Sequence, residues 1–275
     1  DEVSSRGYAW GYIGSCIPFS IGLILVLGAE ALGLTMELAM TITFCLIALW
    51  WLLVSIPLLK NYRQKYYVKR QKKIVRNSFL RIVKTLKNAR KEKHIFLFLL
   101  VFFFYIDGVY TIIDMATAYG QALGFDSTGL LIALLVTQVV AFPASIVFGR
   151  LAKRVSPRRL ILVCIAAYTG IAIFALFMNA QIHFWILAVC VGMFQGGIQA
   201  LSRSYFAKII PAEQAGEYFG LLDICGKGAA FLGTALVGIV SQLTGSINLG
   251  VGALVLLFIA GMILFWKASS FQKSR

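Results

Sequence analysis

The run IFLFLLVFFFYIDGVYTIIDMATA, residues 95–118, is apolar over almost its whole length. About 20 residues of helix are needed to cross about 30 Å of hydrocarbon, and this run is long enough. Backbone groups in lipid must pair internally, so the run predicts a helix rather than a barrel strand. Two carboxylates interrupt it, Asp107 near the middle and Asp114 near the far end.

The rest of the chain has the same character. Of its 275 residues 60% are hydrophobic and only 13% are charged, which is more apolar surface than a soluble domain of this size could bury. The other long apolar runs cover about 9–28, 36–59, 129–148, 160–179, 183–207, 217–240 and 249–267. The sequence therefore predicts an all-α polytopic membrane protein with eight transmembrane helices.

The net charge of +15 is unevenly placed along the chain. Of the 26 Lys and Arg residues, fourteen lie between residues 60 and 93, five between 150 and 159, and three between 267 and 275. The loops 28–35, 119–128, 180–182 and 241–248 contain none. By the positive-inside rule, the basic loops and the C-terminus are cytoplasmic, in a plasma (inner) membrane. The basic excess is thus a topology signal, and it does not indicate nucleic-acid binding.

Ionisable residues inside spans are costly, so they normally face a partner or water. Asp107 lies about 18 Å into its span and Lys227 about 15 Å into its own, both near the midplane. Asp223 stands four residues before Lys227, a spacing that allows an intrahelical ion pair. Alternatively, Lys227 meets a second partner across a polar cavity, either Asp107 or an anionic ligand. Arg203 lies about one turn from the cytoplasmic end of its span, where it can snorkel.

The span 183–207 contains the unusually polar stretch GMFQGGIQALSRSYF, residues 192–206. Gly192 and Gly196 form a G-x-x-x-G face, which lets two helix backbones approach closely. Gln195 and Gln199 are one turn apart on one face. They either join neighbouring helices by hydrogen bonds or line the wall of a solvated cavity.

The charged stretch 60–94 separates the first two spans from the other six. Five apolar residues within it recur on one face of a helix whose remaining surface is basic: Val75, Phe79, Ile82, Val83 and Leu86. Such a helix is expected at the membrane interface, where it is attracted to anionic lipids. The simpler interpretation is a tether between two helical bundles.

The sequence predicts no metal site, no cofactor and no enzymatic activity. Its five cysteines stand singly in apolar runs, without C-x-x-C spacing. His94 and His183 both lie at span ends and are far apart in sequence. No Ser–His–Asp set, metalloprotease motif or phosphate-binding loop is present.

Three stretches resemble one branch of the major facilitator superfamily, the bacterial "unknown major facilitator" family, which is similar to the autophagy-related vacuolar amino-acid effluxers of fungi. They are VSSRGYAWGYIGS (3–15), FYIDGVYTIIDMATAYG (104–120) and QGGIQALSRSYFAKIIPAEQAGEYFGLLDICGKGAAFLG (195–233). The resemblance covers nearly the whole chain. It implies that the eight spans correspond to spans five to twelve of a twelve-span transporter.

The resemblance also implies a division of the chain. Residues 1–59 would be the last two helices of an N-terminal bundle, 60–94 a basic cytoplasmic amphipathic linker, and 95–275 a six-helix C-terminal bundle. The first four spans of the family would be missing, and those helices would be required for a complete carrier.

The loop GRLAKRVSPRR, residues 149–159, resembles the short cytoplasmic gate motif of the superfamily. It departs from that motif because Lys153 replaces an aspartate and Ser156 replaces a glycine. A basic turn that anchors topology is therefore the expected role of this loop. The residues that carry the likeness are Gly149, Arg150, Arg154 and Arg158.

These features favour part of a secondary transporter that works by alternating access with a site near the midplane. Asp107 would couple transport to a proton or cation, Lys227 would attract a carboxylate, and Gln195 and Gln199 would orient the ligand. Opposite charges at one depth suit a zwitterion such as an amino acid, and the resemblance implies efflux. The alternative is a membrane-embedded scaffold or interaction protein that uses its small-residue helix faces and its basic, lipid-facing loop.

Overall fold

The computed structural model describes residues 1–63 and 74–272, and within these ranges the chain is helical and contains no strand. The helices are α1 (Glu2–Leu27), α2 (Met36–Asn61), α3 (Ile74–Lys91), α4 (Lys93–Ala122), α5 (Ser127–Leu151), α6 (Pro157–Ala175), α7 (Gln181–Ile209), α8 (Ala215–Thr244), α9 (Ile247–Gly252) and α10 (Val255–Gln272). A single 3₁₀ turn, Ala212–Gln214, precedes α8.

The helix ends follow local chemistry. The Thr35 side chain accepts a hydrogen bond from the Leu38 N–H at 3.3 Å and caps α2, and the Asp126 carboxylate accepts one from the Gly129 N–H at 2.7 Å and caps α5. Gly245 ends α8 with φ +69°, a left-handed conformation that glycine adopts without a Cβ penalty.

The predicted all-α membrane architecture is confirmed. Eight helical segments of the described chain are long and apolar enough to cross a membrane, with α9 and α10 together forming the last of them. Their bounds differ from the apolar runs at several ends. For example, α6 ends at Ala175, because the N–H of Leu176 bonds to the carbonyl of Ile173, three residues back, and tightens the chain into a turn.

The helices that surround the candidate site form two groups. In the first, α5 packs against α7, and α1 contacts both. In the second, α4 packs between α8 and α10, while α6 joins the groups by contacting α7 and α10. Helix α2 packs on α1 and exposes large apolar side chains such as Phe44 and Trp51, as expected for a surface in contact with acyl chains.

Glycines set the close approach of α7 to its neighbours, as the G-x-x-x-G pattern predicts. A Cβ at Gly192 would lie 2.7 Å from the Thr137 carbonyl oxygen of α5, and one at Gly196 would collide with the Ser145 hydroxyl. Gly7 and Gly11 of α1 differ, since a Cβ at either position would meet nothing within 4 Å. Those two glycines therefore form an open face.

Helix α3 confirms the amphipathic helix predicted within the stretch 60–94, although residues 64–73 and the Val75 side chain lie outside the described part of the chain. It contacts α4 and α8. Helix α4 begins on one side of the bundle, and α7 ends and α8 begins on the same side. This side carries the basic residues Lys93, Arg150 and Lys208, so we call it the basic end and the opposite side the non-basic end.

Candidate functional site between α1, α4, α7 and α8

Asp107 is fully buried in the middle of α4. Its Oδ1 accepts a hydrogen bond from the backbone N–H of Gly233 in α8 at 2.8 Å, and the Thr111 hydroxyl lies 3.5 Å from the same oxygen. Its other oxygen, Oδ2, is buried and has no hydrogen-bond partner among the described residues. A buried polar atom without a partner is uncommon and costly, so it marks a site where a proton, ion or water is expected.

Gly233 makes this contact possible because it has no side chain. A Cβ at position 233 would lie 2.7 Å from Asp107 Oδ1 and would collide with the Thr111 hydroxyl. The three residues Asp107, Thr111 and Gly233 therefore form a tight seam between α4 and α8. In the seam Asp107 binds α8 through a backbone N–H, and it forms no ion pair with Lys227 in the described part of the chain.

The charged residues nearer the basic end pair across helices. The Arg203 guanidinium of α7 lies 3.0 Å from the Asp223 carboxylate of α8 and stacks over the Phe219 ring at 5.1 Å from its centroid. Of the two alternatives for Lys227, the intrahelical pair with Asp223 is not formed, because the Asp223 carboxylate pairs with Arg203 of α7. Among the residues that the structure describes, Lys227 has no ion-pair partner.

These charges border a cavity of about 60 Å³, which we call the polar cleft. A buried water needs about 10–15 Å³, so the cleft can hold several waters or a small polar solute. Its lining comes from four helices: Tyr8, Phe102, Ile106, Tyr110, Gln199, Arg203, Leu222, Asp223, Gly226 and Lys227.

A second cavity of about 70 Å³ lies toward the non-basic end, and we call it the apolar cavity. Residues of α4 to α9 line it together with Leu254, which follows α9, and most of them are aliphatic or aromatic. Gln195 is one of its few polar residues, and the Gln195 Oε1 is buried without a hydrogen-bond partner in the described chain. The Tyr12 hydroxyl of α1 is likewise buried without a hydrogen-bond partner among the described residues.

The structure thus brings together four of the predicted site residues, namely Gln199, Arg203, Asp223 and Lys227. It separates Gln195 from them, although Gln195 is only one turn from Gln199. Sequence reasoning missed Tyr8 and Tyr110, which bring two hydroxyls to the polar cleft. Tyr110 follows Asp107 by three residues, so the spacing on α4 could have pointed to it.

The loop after α5 makes specific contacts at the basic end. A Cβ at Gly149 would lie 2.7 Å from the Ser5 Cβ, so this glycine lets α1 approach α5 closely. Lys153 forms an ion pair with Glu2 of α1 at 2.6 Å. Arg158 donates a hydrogen bond to the Phe265 carbonyl of α10 at 3.2 Å and lies over its ring.

The other three arginines of residues 149–159, Arg150, Arg154 and Arg159, are exposed. Arg150 is close enough to Glu2 to contribute to the positive field around that carboxylate. The loop therefore binds α1 and α10 instead of serving only as a basic turn.

No group of three His, Cys, Asp or Glu side chains that could hold a metal ion occurs within residues 1–63 and 74–272. The chemistry available in the polar cleft is that of charged and hydrogen-bonding side chains. Such a site can bind a small solute and orient it.

This chain is similar to known membrane transporters and matches one protein family over its whole length. The family model described as "Vacuole effluxer Atg22 like" matches residues 1–275. The chain is 47% identical to the uncharacterized MFS-type transporter YxiO of Bacillus subtilis over 264 residues, which are 95% of this chain and 62% of that protein.

Fungal relatives are more distant. Autophagy-related protein 22 of Coccidioides immitis is 25% identical over 94% of this chain and 47% of its own length. The protein of the same name from Kluyveromyces lactis is 24% identical over 96% of this chain and 57% of its own length. The chain thus spans about half to three fifths of the curated relatives that it matches. It belongs to the Atg22-like vacuole effluxer family, within the major facilitator type of transporters.

Proposed function

We propose that this chain forms part of a secondary transporter that moves a small polar solute by alternating access. The observation that carries the proposal is the polar cleft, where charged side chains from α7 and α8 surround a space for several waters inside otherwise apolar helices. Charges placed within membrane spans are retained where they serve a pathway or a ligand. The transporter named among the relatives supports the same activity.

The cleft suits a zwitterion such as an amino acid. The Lys227 ammonium has no ion-pair partner in the described chain, so it is available to a ligand carboxylate. The Asp223 carboxylate, already held by Arg203, offers the opposite charge to an ammonium group. Gln199 can orient the ligand by hydrogen bonds. We do not extend this role to Gln195, because that side chain lines the apolar cavity.

Asp107 is our candidate for coupling to a proton or cation. It is buried on α4 between Ile106 and Tyr110, which both line the polar cleft, and it does not itself line the cleft. The unpartnered Oδ2 is the atom at which a proton or cation would bind. Because the other oxygen holds α8 through Gly233, occupation of Oδ2 would act directly on the contact between α4 and α8.

We place the basic end on the cytoplasmic side of a plasma membrane, with the C-terminus also cytoplasmic, by the positive-inside rule. Efflux follows the name of the matched family. In this proposal α1 and α2 are the last helices of an N-terminal bundle, α4 to α10 form the C-terminal bundle, and further N-terminal helices complete the carrier.

One observation favours the scaffold alternative. Gly7 and Gly11 of α1 face open space, and such small-residue faces are typical of helix–helix docking in membranes. The same face would also be required for docking of the remaining helices of a carrier, so the two functions must be separated by experiment.

The test is transport of labelled amino acids by the full-length protein in vesicles. We expect Lys227→Gln to lower the rate at least about tenfold, since a lost charged contact to the solute costs about 1.5–3 kcal/mol. Asp107→Asn should abolish dependence on an ion gradient. The matched control is Lys60→Gln, at an exposed lysine in the last turn of α2. Undiminished, gradient-dependent transport in both site variants would remove these residues from the mechanism.

A further inference from the structure

Helix α3 presents three different surfaces around its axis. Successive residues of a helix are rotated by about 100°, so residues three, four and seven apart share a face. One face of α3 contacts the bundle, the next is apolar and exposed, and the third is basic. We call these the docked, apolar and basic faces.

The docked face ties α3 to the first turn of α8. The Thr85 hydroxyl donates a hydrogen bond to Glu217 at 2.5 Å, and Arg81 forms an ion pair with the same carboxylate. Thr85 and Ala89, one turn apart, are buried against the bundle. Because Glu217 lies at the start of α8, the docked face holds α3 at the basic end, level with the ends of the spans.

The apolar face is left uncovered. Phe79 is 67% exposed, and Ile82 and Leu86, at spacings of three and seven residues from it, are 36% and 38% exposed. A continuous row of this kind at the height of the membrane surface is expected to meet acyl chains rather than water. The docked face lies next to the apolar face on α3. Contact of the docked face with the bundle therefore fixes the direction in which the apolar face points.

The basic face lies on the other side of the apolar row. All its charged members are exposed and positive, and α3 contains no Asp or Glu. They are Arg76, Lys84, Lys87, Arg90 and Lys91. Because each basic residue near an anionic leaflet adds to the electrostatic attraction, the five together favour anionic over zwitterionic headgroups.

We propose that α3 is an interfacial helix that binds anionic phospholipid of the leaflet at the basic end. Its apolar face enters the boundary with the acyl chains, its basic face binds the lipid phosphates, and its docked face transmits this position to α8 through Glu217. This surface is independent of transport, since it requires neither the polar cleft nor a solute.

Hydrogen exchange of the purified protein in lipid nanodiscs tests the proposal. One set of discs contains phosphatidylcholine alone, and the other contains phosphatidylcholine with about one third phosphatidylglycerol. We expect the α3 amides to exchange about tenfold more slowly in the anionic discs. The amides of α5 and α7 should exchange equally in both and report that the bundle is folded.

Two variants identify the faces. Lys84→Gln/Lys87→Gln/Lys91→Gln should remove the difference between the two lipids. Arg154→Gln/Arg159→Gln, with one substitution in the turn before α6 and the other in the first turn of α6, should retain it. Phe79→Ser should speed α3 exchange in both lipids. Equal exchange of wild-type α3 in the two discs, or a full lipid response in the triple variant, would overturn the proposal and leave α3 as a tether.

Discussion

The polar cleft and the apolar cavity have nearly equal volumes, about 60 and 70 Å³, but opposite linings. Ion-pairing side chains from α7 and α8 border the first, while the second is lined by aliphatic and aromatic residues with a few hydroxyls and amides. Gln199 belongs to the first and Gln195 to the second, although they are neighbours on one helix face. The chemistry of the bundle therefore changes within one helical turn, about 5.4 Å.

The seam of Asp107, Thr111 and Gly233 lies where this change occurs. On α4, Ile106 and Tyr110 line the polar cleft, and Thr111 lines the apolar cavity. On α8, Lys227 and Val237 take the corresponding positions, with Gly233 between them. The contrast teaches that a tight helix contact can separate a cavity with a charged lining from one with an apolar lining. The unpartnered oxygen, Oδ2 of Asp107, belongs to this seam between the two cavities.

Disrupting the seam of Asp107, Thr111 and Gly233 should have the largest effect on the free energy of unfolding. Gly233→Ala places a Cβ against Asp107 and Thr111, and such overpacking costs about 1–3 kcal/mol. Gly238→Ala, on the same helix with nothing within 4 Å, should instead gain up to about 1 kcal/mol from helix propensity. Thermal unfolding in detergent measures both. Equal stabilities of the two variants would mean that α4 and α8 are not held together at Gly233.

The helices of this protein follow from composition, but the seam could not be derived from the sequence. Apolar length and loop charge are local properties, so they predict each span and its direction. The partner of Asp107 is a backbone N–H within α8, and no side-chain pattern marks a backbone donor. Glycine at 233 was one of many in a Gly-rich stretch.

The ion pairs were partly predictable for the same reason. Spacing makes Lys227 a good partner for Asp223, but Arg203, twenty residues away in the chain, is equally good once α7 and α8 pack together. Only the distance between the helices decides between them. The separation of Gln195 from Gln199 likewise depends on where α4 and α8 meet, which no property of α7 reveals.

Substitutions that fill the apolar cavity test whether it is open space in the folded protein. Ala188 lines this cavity, so Ala188→Leu has space for the added methyl groups and should change the free energy of unfolding by less than about 1 kcal/mol. Ala133, which is fully buried and lines neither cavity, offers no such space, and Ala133→Leu should cost about 1–3 kcal/mol. If both variants were destabilised alike, the cavity would not exist as an open space in the folded protein.

Thiol reactivity compares the wetness of the two cavities directly. In a cysteine-free background, a cysteine at position 199 should react with a water-soluble reagent at least about tenfold faster than one at 195. Position 199 borders a cavity whose charged side chains can hydrogen-bond to water, whereas position 195 borders a cavity with a mostly apolar lining. Unchanged unfolding temperatures control for misfolding. Failure of both cysteines to react would favour a scaffold over a carrier.

The smallest effect on the free energy of unfolding is expected at the ion pair between Arg203 and Asp223. Arg203 and Asp223 have side chains 40% and 54% exposed, and pairs of that exposure contribute at most about 1 kcal/mol. Arg203→Lys keeps the charge but loses the flat contact with the Phe219 ring, so unfolding should change by less than about 1 kcal/mol.

The control for this variant is Arg159→Lys at the exposed start of α6, which should be neutral. Arg203→Gln should then lower transport far more than it lowers stability, because Asp223 would lose the group that positions it for a ligand. A destabilisation of several kcal/mol by Arg203→Lys would mean that the pair is shielded from water. The region that we describe as a wet cleft would then be a packed core, and the contrast between the two cavities would be lost.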